Sequence, residues 1–368
     1  MIFRRRLIER QRAAGYMFTM MIAFAVSILV TRIFLELTGY PQIGNSDLHI
    51  AHVLWGGLIV AVGAALPLVF SNTSIYGISA ALSGVGLGLF FDEVGKFLTQ
   101  DNDYFFRPAA SIIYILFLLG IYVYITVRRG EPDDQMRLHH ALAAMQEIVD
   151  GDLDVQEKKE LEALLSGITG DADIPDVREL AGELLGFVQT QADTTDARPT
   201  PVRDRLRDAG RWIAAHILTQ PITRWLLIVS MGLLGIVSLI DLSAFLSALD
   251  DPGQIAALLE GWVARGDLTG AQESLWFALM IGLKAVVGLA LIAGLIFFLA
   301  GRERRGIALA LAGLLLSVTL FDMLLFYFEQ FIAAARATLD FIIIAGLSFY
   351  NTRYLRPVRQ GGKKKDPG

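Results

Sequence analysis

Carboxylates crowd together at one place in this chain. Asp92, Glu93, Asp101 and Asp103, with Lys96 among them, follow the glycine-rich apolar stretch GVGLGLFF that begins at Gly84. Ionisable groups at the end of an apolar helix can bind a cation, relay a proton or hold the charged end of a solute, provided neighbouring helices keep them half buried and water still reaches them. His49 and His52 lie three apart and so share a helix face. If they reach Asp92, the three supply part of a ligand set for a divalent metal, with Glu93 placed to activate a metal-bound water. A second group lies far along the chain. Asp322 sits in LFDMLLF, with no other charge between Gly306 and Phe328, so it requires a partner from another helix. Lys284, deep in an apolar run, is the predicted partner, and Glu273 stands at the head of that run. Arg32 is another charge inside an apolar run, while Asp241 and Asp340 lie near the ends of theirs. Simpler roles compete. Asp92 and Lys96 are spaced as a helix ion pair, Asp101 to Asp103 read as a turn before Pro108, and Tyr104, Phe105 and Phe106 suit the membrane interface.

Helices that cross a bilayer must position these groups. Of 368 residues 54% are hydrophobic and only 19% charged, with a mean hydropathy of +0.52, too apolar for an ordinary soluble domain. A hydrocarbon core of about 30 Å takes about 20 apolar residues in a helix. Eight runs meet that need: 16–38, 48–70, 76–97, 108–127, 224–248, 273–300, 306–327 and 333–350. Backbone groups in lipid must be satisfied within each segment, which makes the runs helical. The expected fold is therefore all-α, a polytopic membrane helical bundle of about eight transmembrane helices. No cysteine is present, which excludes disulfides, thiolate metal sites and cysteine nucleophiles and leaves His, Asp and Glu for any metal. The net charge of -5 identifies no partner, and nucleic acid is not among those expected.

Orientation follows from Lys and Arg. Arg4, Arg5, Arg6, Arg10 and Arg12 precede the first run, Arg128 and Arg129 follow the fourth, Arg302, Arg304 and Arg305 follow the sixth, and Arg353, Arg356, Arg359 and Lys363 to Lys365 follow the eighth. All fall on one side of an eight-span chain, so both termini are expected in the cytoplasm of a cell membrane such as the bacterial inner membrane. The first run is too long for a signal-peptide core and is read as a retained span.

Between the fourth and fifth runs the chain changes character. Residues 130–222 are charged and poor in aromatics, with helical spacing in three stretches, and read as a cytoplasmic helical insertion. Asp150, Asp152 and Asp154 lack the glycine and glutamate that a calcium loop requires, since Val155 and Leu161 stand there. Residues 191–201 form a polar linker, and the stretch around Trp212 has the composition of an interfacial helix. The organisation is thus membrane block one at 1–129, the insertion at 130–222, membrane block two at 223–352 and a basic tail at 353–368. The insertion is expected to behave as a solvated appendage offering a surface to a cytoplasmic protein.

Four spans on either side invite comparison as a 4+4 parallel repeat. GISAALSG aligns with GIALALAG, and FDEVGKFLTQ with FDMLLFYFEQ, pairing Asp92 with Asp322; HVLWGGL aligns with ESLWFAL, pairing His52 with Glu273. Three functions fit. The first is a transporter or ion-conducting protein with a carboxylate-rich site near the outer face, formed by Asp92, Glu93, Lys96, Asp322, Lys284 and Glu273 and acting on a small solute or ion. The second is a metal-dependent hydrolase or transferase acting on a lipid-linked ligand, with His49, His52 and Asp92 as metal ligands. The third is a non-catalytic sensor or scaffold.

Overall fold

The computed structural model describes residues 9–39, 52–100, 106–129, 134–149, 155–171, 175–191, 212, 216, 218–249 and 271–355. His49, Asp101 to Phe105, Asp150 to Asp154, residues 192–211 and most of the stretch around Trp212 lie outside them, as does the side chain of Glu273. Every regular element among the described residues is helical: α1 (Ala13–Thr38), α2 (His52–Val69), α3 (Thr73–Asp92), α4 (Val94–Leu98), α5 (Arg107–Arg129), α6 (Asp134–Val149), α7 (Val155–Asp171), α8 (Pro175–Gln191), α9 (Gln220–Leu249), α10 (Ala271–Leu299), α11 (Glu303–Leu316), a π turn (Ser317–Phe321), α12 (Asp322–Phe328), α13 (Gln330–Tyr350) and a closing π turn (Asn351–Leu355). Eight of the helical stretches are long and apolar enough to cross a membrane, with α11, the π turn and α12 forming one of them. The protein is an all-α, multi-pass membrane bundle.

The chain divides into two compact units, Met1–Phe106 with Ile115–Pro201, and Arg107–Tyr114 with Val202–Gly368. In the first unit α3 lies against both α1 and α2. Glycine makes that closeness attainable: a Cβ on Gly86 would meet Gly56 O at 2.7 Å, and one on Gly88 would meet the Ser27 Cβ of α1 at 2.7 Å. With no hydrophobic force between helices in lipid, such backbone approach is what holds them together. α1 and α3 run parallel. Tyr16 packs on Tyr76 near their starts, the Ser27 hydroxyl donates to Val85 O at 3.1 Å midway, and Arg32 reaches Asp92 near their ends. α2 runs against them, with the Ser79 hydroxyl donating to Gly63 O at 2.7 Å.

α6, α7 and α8 close a small core of their own around Ala141, Leu161, Leu165, Ile168, Ala181 and Val188. They do not stand apart from the first block as the sequence reading expects. His140 Nε2 lies 2.8 Å from Glu9 O, and a cavity of about 50 Å³ is lined by Arg10, Tyr16, Thr73 and Tyr76 on one side and by Ala144 and Leu164 on the other. The insertion therefore rests on the heads of α1 and α3. Its solvated outer face is legible in composition, whereas a contact made at His140 and at a few positions of α6 and α7, among them Ala144, Glu160 and Leu164, leaves no periodic signal.

In the second unit α10 lies between α9 and α11. The core joins Leu227, Met231, Leu291, Phe298, Leu314, Ile343 and Tyr350. α12 and α13 reverse direction through the single extended residue Glu329, at φ -142 and ψ 92. Because the packing order differs, with α3 central in one unit and α10 in the other, the sequence pairing of the blocks is not accompanied by matching helix arrangement.

Candidate functional site

Two clusters of buried charge emerge, one in each unit, and they differ in how completely they are satisfied. In the first unit α3 stops at Asp92 and the chain bends at Glu93, at φ -89 and ψ 5, before α4. Both side chains are fully buried. Asp92 Oδ1 accepts from Arg32 Nε of α1 at 2.6 Å, and its Oδ2 lies 3.2 Å from His52 Nε2 of α2. Glu93 Oε1 accepts from Lys96 Nζ at 2.6 Å and Oε2 from the Val53 backbone N–H at 2.8 Å, with His52 Nδ1 at 3.7 Å. Among the described residues Lys96 pairs with Glu93, three residues before it, and not with Asp92, four before it. Two carboxylates thus meet one guanidinium, one ammonium and an imidazole, so each negative charge has a cationic partner.

The second cluster is built on the hairpin of the seventh and eighth spans. Asp322 begins α12, directly after the π turn, and Arg336 and Asp340 lie one turn apart on α13. Asp322 and Arg336 stand seven residues to either side of Glu329, the register at which an antiparallel pair brings residues face to face. Asp340 Oδ1 accepts from Arg336 Nε at 3.2 Å. Arg336 and Asp340 both act electrostatically on Asp322 at close range, Tyr114 of α5 stands beside the Asp322 carboxyl, and the Ser317 hydroxyl stands beside Asp340. The Tyr114 hydroxyl gives its proton to Val318 O at 2.7 Å, and Ser111 donates to Met323 O at 2.9 Å. Two hydroxyls of α5 therefore fasten onto carbonyls in and beside the π turn, where the hydrogen-bond ladder changes its step. Single π turns inside α-helices occur often at functional positions.

What separates this cluster from the first is its lack of satisfaction. Asp322, Asp340 and Ser317 are fully buried. Both oxygens of Asp322, Oδ2 of Asp340, Nη2 of Arg336 and Oγ of Ser317 make no hydrogen bond of good geometry among the described residues, the nearby Tyr114 hydroxyl being turned to Val318 O. Buried polar atoms are almost always paired. Five such atoms, on Ser317, Asp322, Arg336 and Asp340, with two carboxyls to a single guanidinium, leave this cluster short of hydrogen-bond partners among the described residues.

The expected residues are thus divided. His52, Asp92, Glu93 and Lys96 come together, and Asp322 belongs to a separate cluster. Lys284 is not its partner. It bonds to Asp241 of the adjacent helix α9, while α10 meets the level of Asp322 with the apolar Phe277 and Met280. Arg336 supplies the missing charge. Its spacing from Asp340 is that of a helix ion pair, and its distance in sequence from Glu329 mirrors that of Asp322. Tyr114 and Ser317 carry no comparable sequence signal. For a metal, no three His, Asp or Glu side chains converge suitably among the described residues, and Asp92 is engaged by Arg32. Comparison of the chain with family models, curated proteins and solved structures gives no match.

Proposed function

We propose that this multi-pass membrane protein is a transporter or ion-conducting protein, oriented with both termini and α6 to α8 in the cytoplasm, and that Asp322, Asp340 and Arg336 hold the passing ion or solute. The reading is carried by the five unsatisfied buried atoms gathered there within spanning helices. Charges inside a bilayer are expensive and line pathways far more often than they serve packing. The cluster at Asp92 and Glu93 is the contrasting case. Among the described residues its two carboxylates are matched by Arg32, Lys96 and the imidazole of His52, which suits a lock between α1, α2 and α3.

Reconstitution into proteoliposomes tests the proposal. Wild-type protein is expected to pass at least one member of a panel of inorganic ions and small organic solutes, and Asp322→Asn to abolish that flux while melting close to the wild type. Undiminished flux in Asp322→Asn overturns the assignment of the site. One observation favours the sensor reading as a second possibility: the contact of α6 and α7 with the heads of α1 and α3 gives a membrane event a route to the soluble helices. The metal-dependent hydrolase draws no comparable support from the described residues.

A further inference from the structure

Charge counting at the second cluster goes further than the identification of a site. Two carboxyls, Asp322 and Asp340, face one guanidinium, Arg336. Among the described residues the elements packed around Asp322 otherwise bring it apolar or neutral groups: α10 brings Phe277 and Met280, α12 itself brings Leu324 and Phe328, the π turn brings Ser317 and Phe321, and α5 brings the neutral phenol of Tyr114. Lys284 and Asp241 neutralise one another elsewhere. Fully ionised, the cluster holds one uncompensated negative charge among apolar side chains. Desolvation and the like charge beside it both disfavour keeping the second carboxyl ionised.

Three kinds of occupant are conceivable, and the charge count and the donor set discriminate among them. An anion would add to the excess. A metal cation such as sodium or calcium is held by several oxygens, whereas here the guanidinium that binds one carboxyl occupies the same space and repels a second cation. A proton needs a single oxygen and tolerates the guanidinium. Resting on the transport reading of this cluster, we infer that the species bound here is a proton, one exchangeable proton shared between Asp322 and Asp340 with Arg336 compensating the remaining carboxylate. Uptake forms one O–H bond on a carboxylate of the pair, and release returns that proton to water. No other bond changes.

The count gives the test. In infrared spectra of the purified full chain in lipid, the wild type should show one acid equivalent of carboxylic C=O absorption from this cluster, shifting when water is replaced by deuterium oxide. Asp322→Asn leaves Asp340 paired with Arg336, and Asp340→Asn leaves Asp322 paired with it, so either change should remove that absorption entirely. Arg336→Gln leaves two carboxyls without a cation and should double it. Asparagine and glutamine preserve shape and hydrogen-bonding capacity, and should one variant fail to fold, the other two still decide the count. Absorption that survives in both Asp variants, that fails to exchange, or that is replaced by a sodium-dependent carboxylate shift overturns the proton. The transport reading fails separately. Spectra that obey the count, combined with vesicle flux of every species tested being unaltered in Asp322→Asn, keep the proton site and remove transport. Sodium or potassium flux lost in Asp322→Asn without an acid band keeps transport and removes the proton.

Discussion

Asp92 and Asp322 look alike in the sequence, each following a phenylalanine near the end of an apolar run, yet the structure gives them opposite situations. Asp92 is held by Arg32 at 2.6 Å with its side chain fully buried, and removing one member of such a pair strands the other, at about 3 to 5 kcal/mol. Asp92→Asn and Arg32→Met are each expected to lower the melting temperature strongly, and the double change to recover part of the loss. Asp322→Asn, which removes a charge that accepts no hydrogen bond of good geometry among the described residues, should melt near the wild type. Melting curves of the four variants in lipid nanodiscs decide it; equal losses for Asp92→Asn and Asp322→Asn would remove the distinction between lock and site. The sequence makes legible that Asp322 needs a tertiary partner, because no charge lies near it in its own span. It does not make the partner legible. Lys284 and Arg336 are both single basic residues in apolar surroundings, and only the register of the hairpin at Glu329 chooses between them.

Element scale is where glycine decides. Gly56 and Gly57 are neighbours on α2 with identical composition around them, but a Cβ on Gly56 would come 2.6 Å from the Phe90 backbone nitrogen of α3, while one on Gly57 meets nothing within 4 Å. Forcing a methyl group between two backbones costs about 1 to 3 kcal/mol, and replacing an open helical glycine by alanine gains up to about 1 kcal/mol. Gly56→Ala should therefore melt below the wild type and Gly57→Ala at or above it, as scanning fluorimetry can check; the reverse order would mean α2 does not pack on α3 this way. The existence of all eight spans is legible from apolar run length alone. Their interruptions are not. The run at 76–97 is broken at Glu93, and the run at 306–327 contains the π turn at Ser317–Phe321. Both breaks fall beside buried carboxyls, and both are accompanied by tertiary bonds, from Val53 in the first and from Tyr114 and Ser111 in the second, that no local propensity encodes.

For the whole molecule the governing expectation is sidedness. In the first unit the heads of α1 and α3 and the insertion they carry share one end, and Asp92, Glu93 and Lys96 share the other, as an alternating path through the bilayer requires. In the proposed orientation, which rests on the arginine distribution, the first end is the cytoplasmic one. The chain has no native cysteine, so single substitutions report cleanly: Asn45→Cys, Asn102→Cys and Gly253→Cys should react with an impermeant maleimide added to intact cells, and Gly170→Cys and Gly361→Cys should not. Labelling of Gly170→Cys from outside would invert the assignment. Architecture at this scale is the most legible of all, since hydropathy and charge asymmetry act over whole segments, whereas the order in which helices pack within each block is set by side-chain fit that a linear pattern does not carry. The one-residue reversal at Glu329 has a different kind of consequence. A helix advances about 100° and 1.5 Å per residue, so one residue added to or removed from that link would swing Arg336 away from Asp322 while changing the identity of no residue in the cluster. The length of the link is itself a component of the site, and selection on the protein would act there by counting residues and not by choosing them.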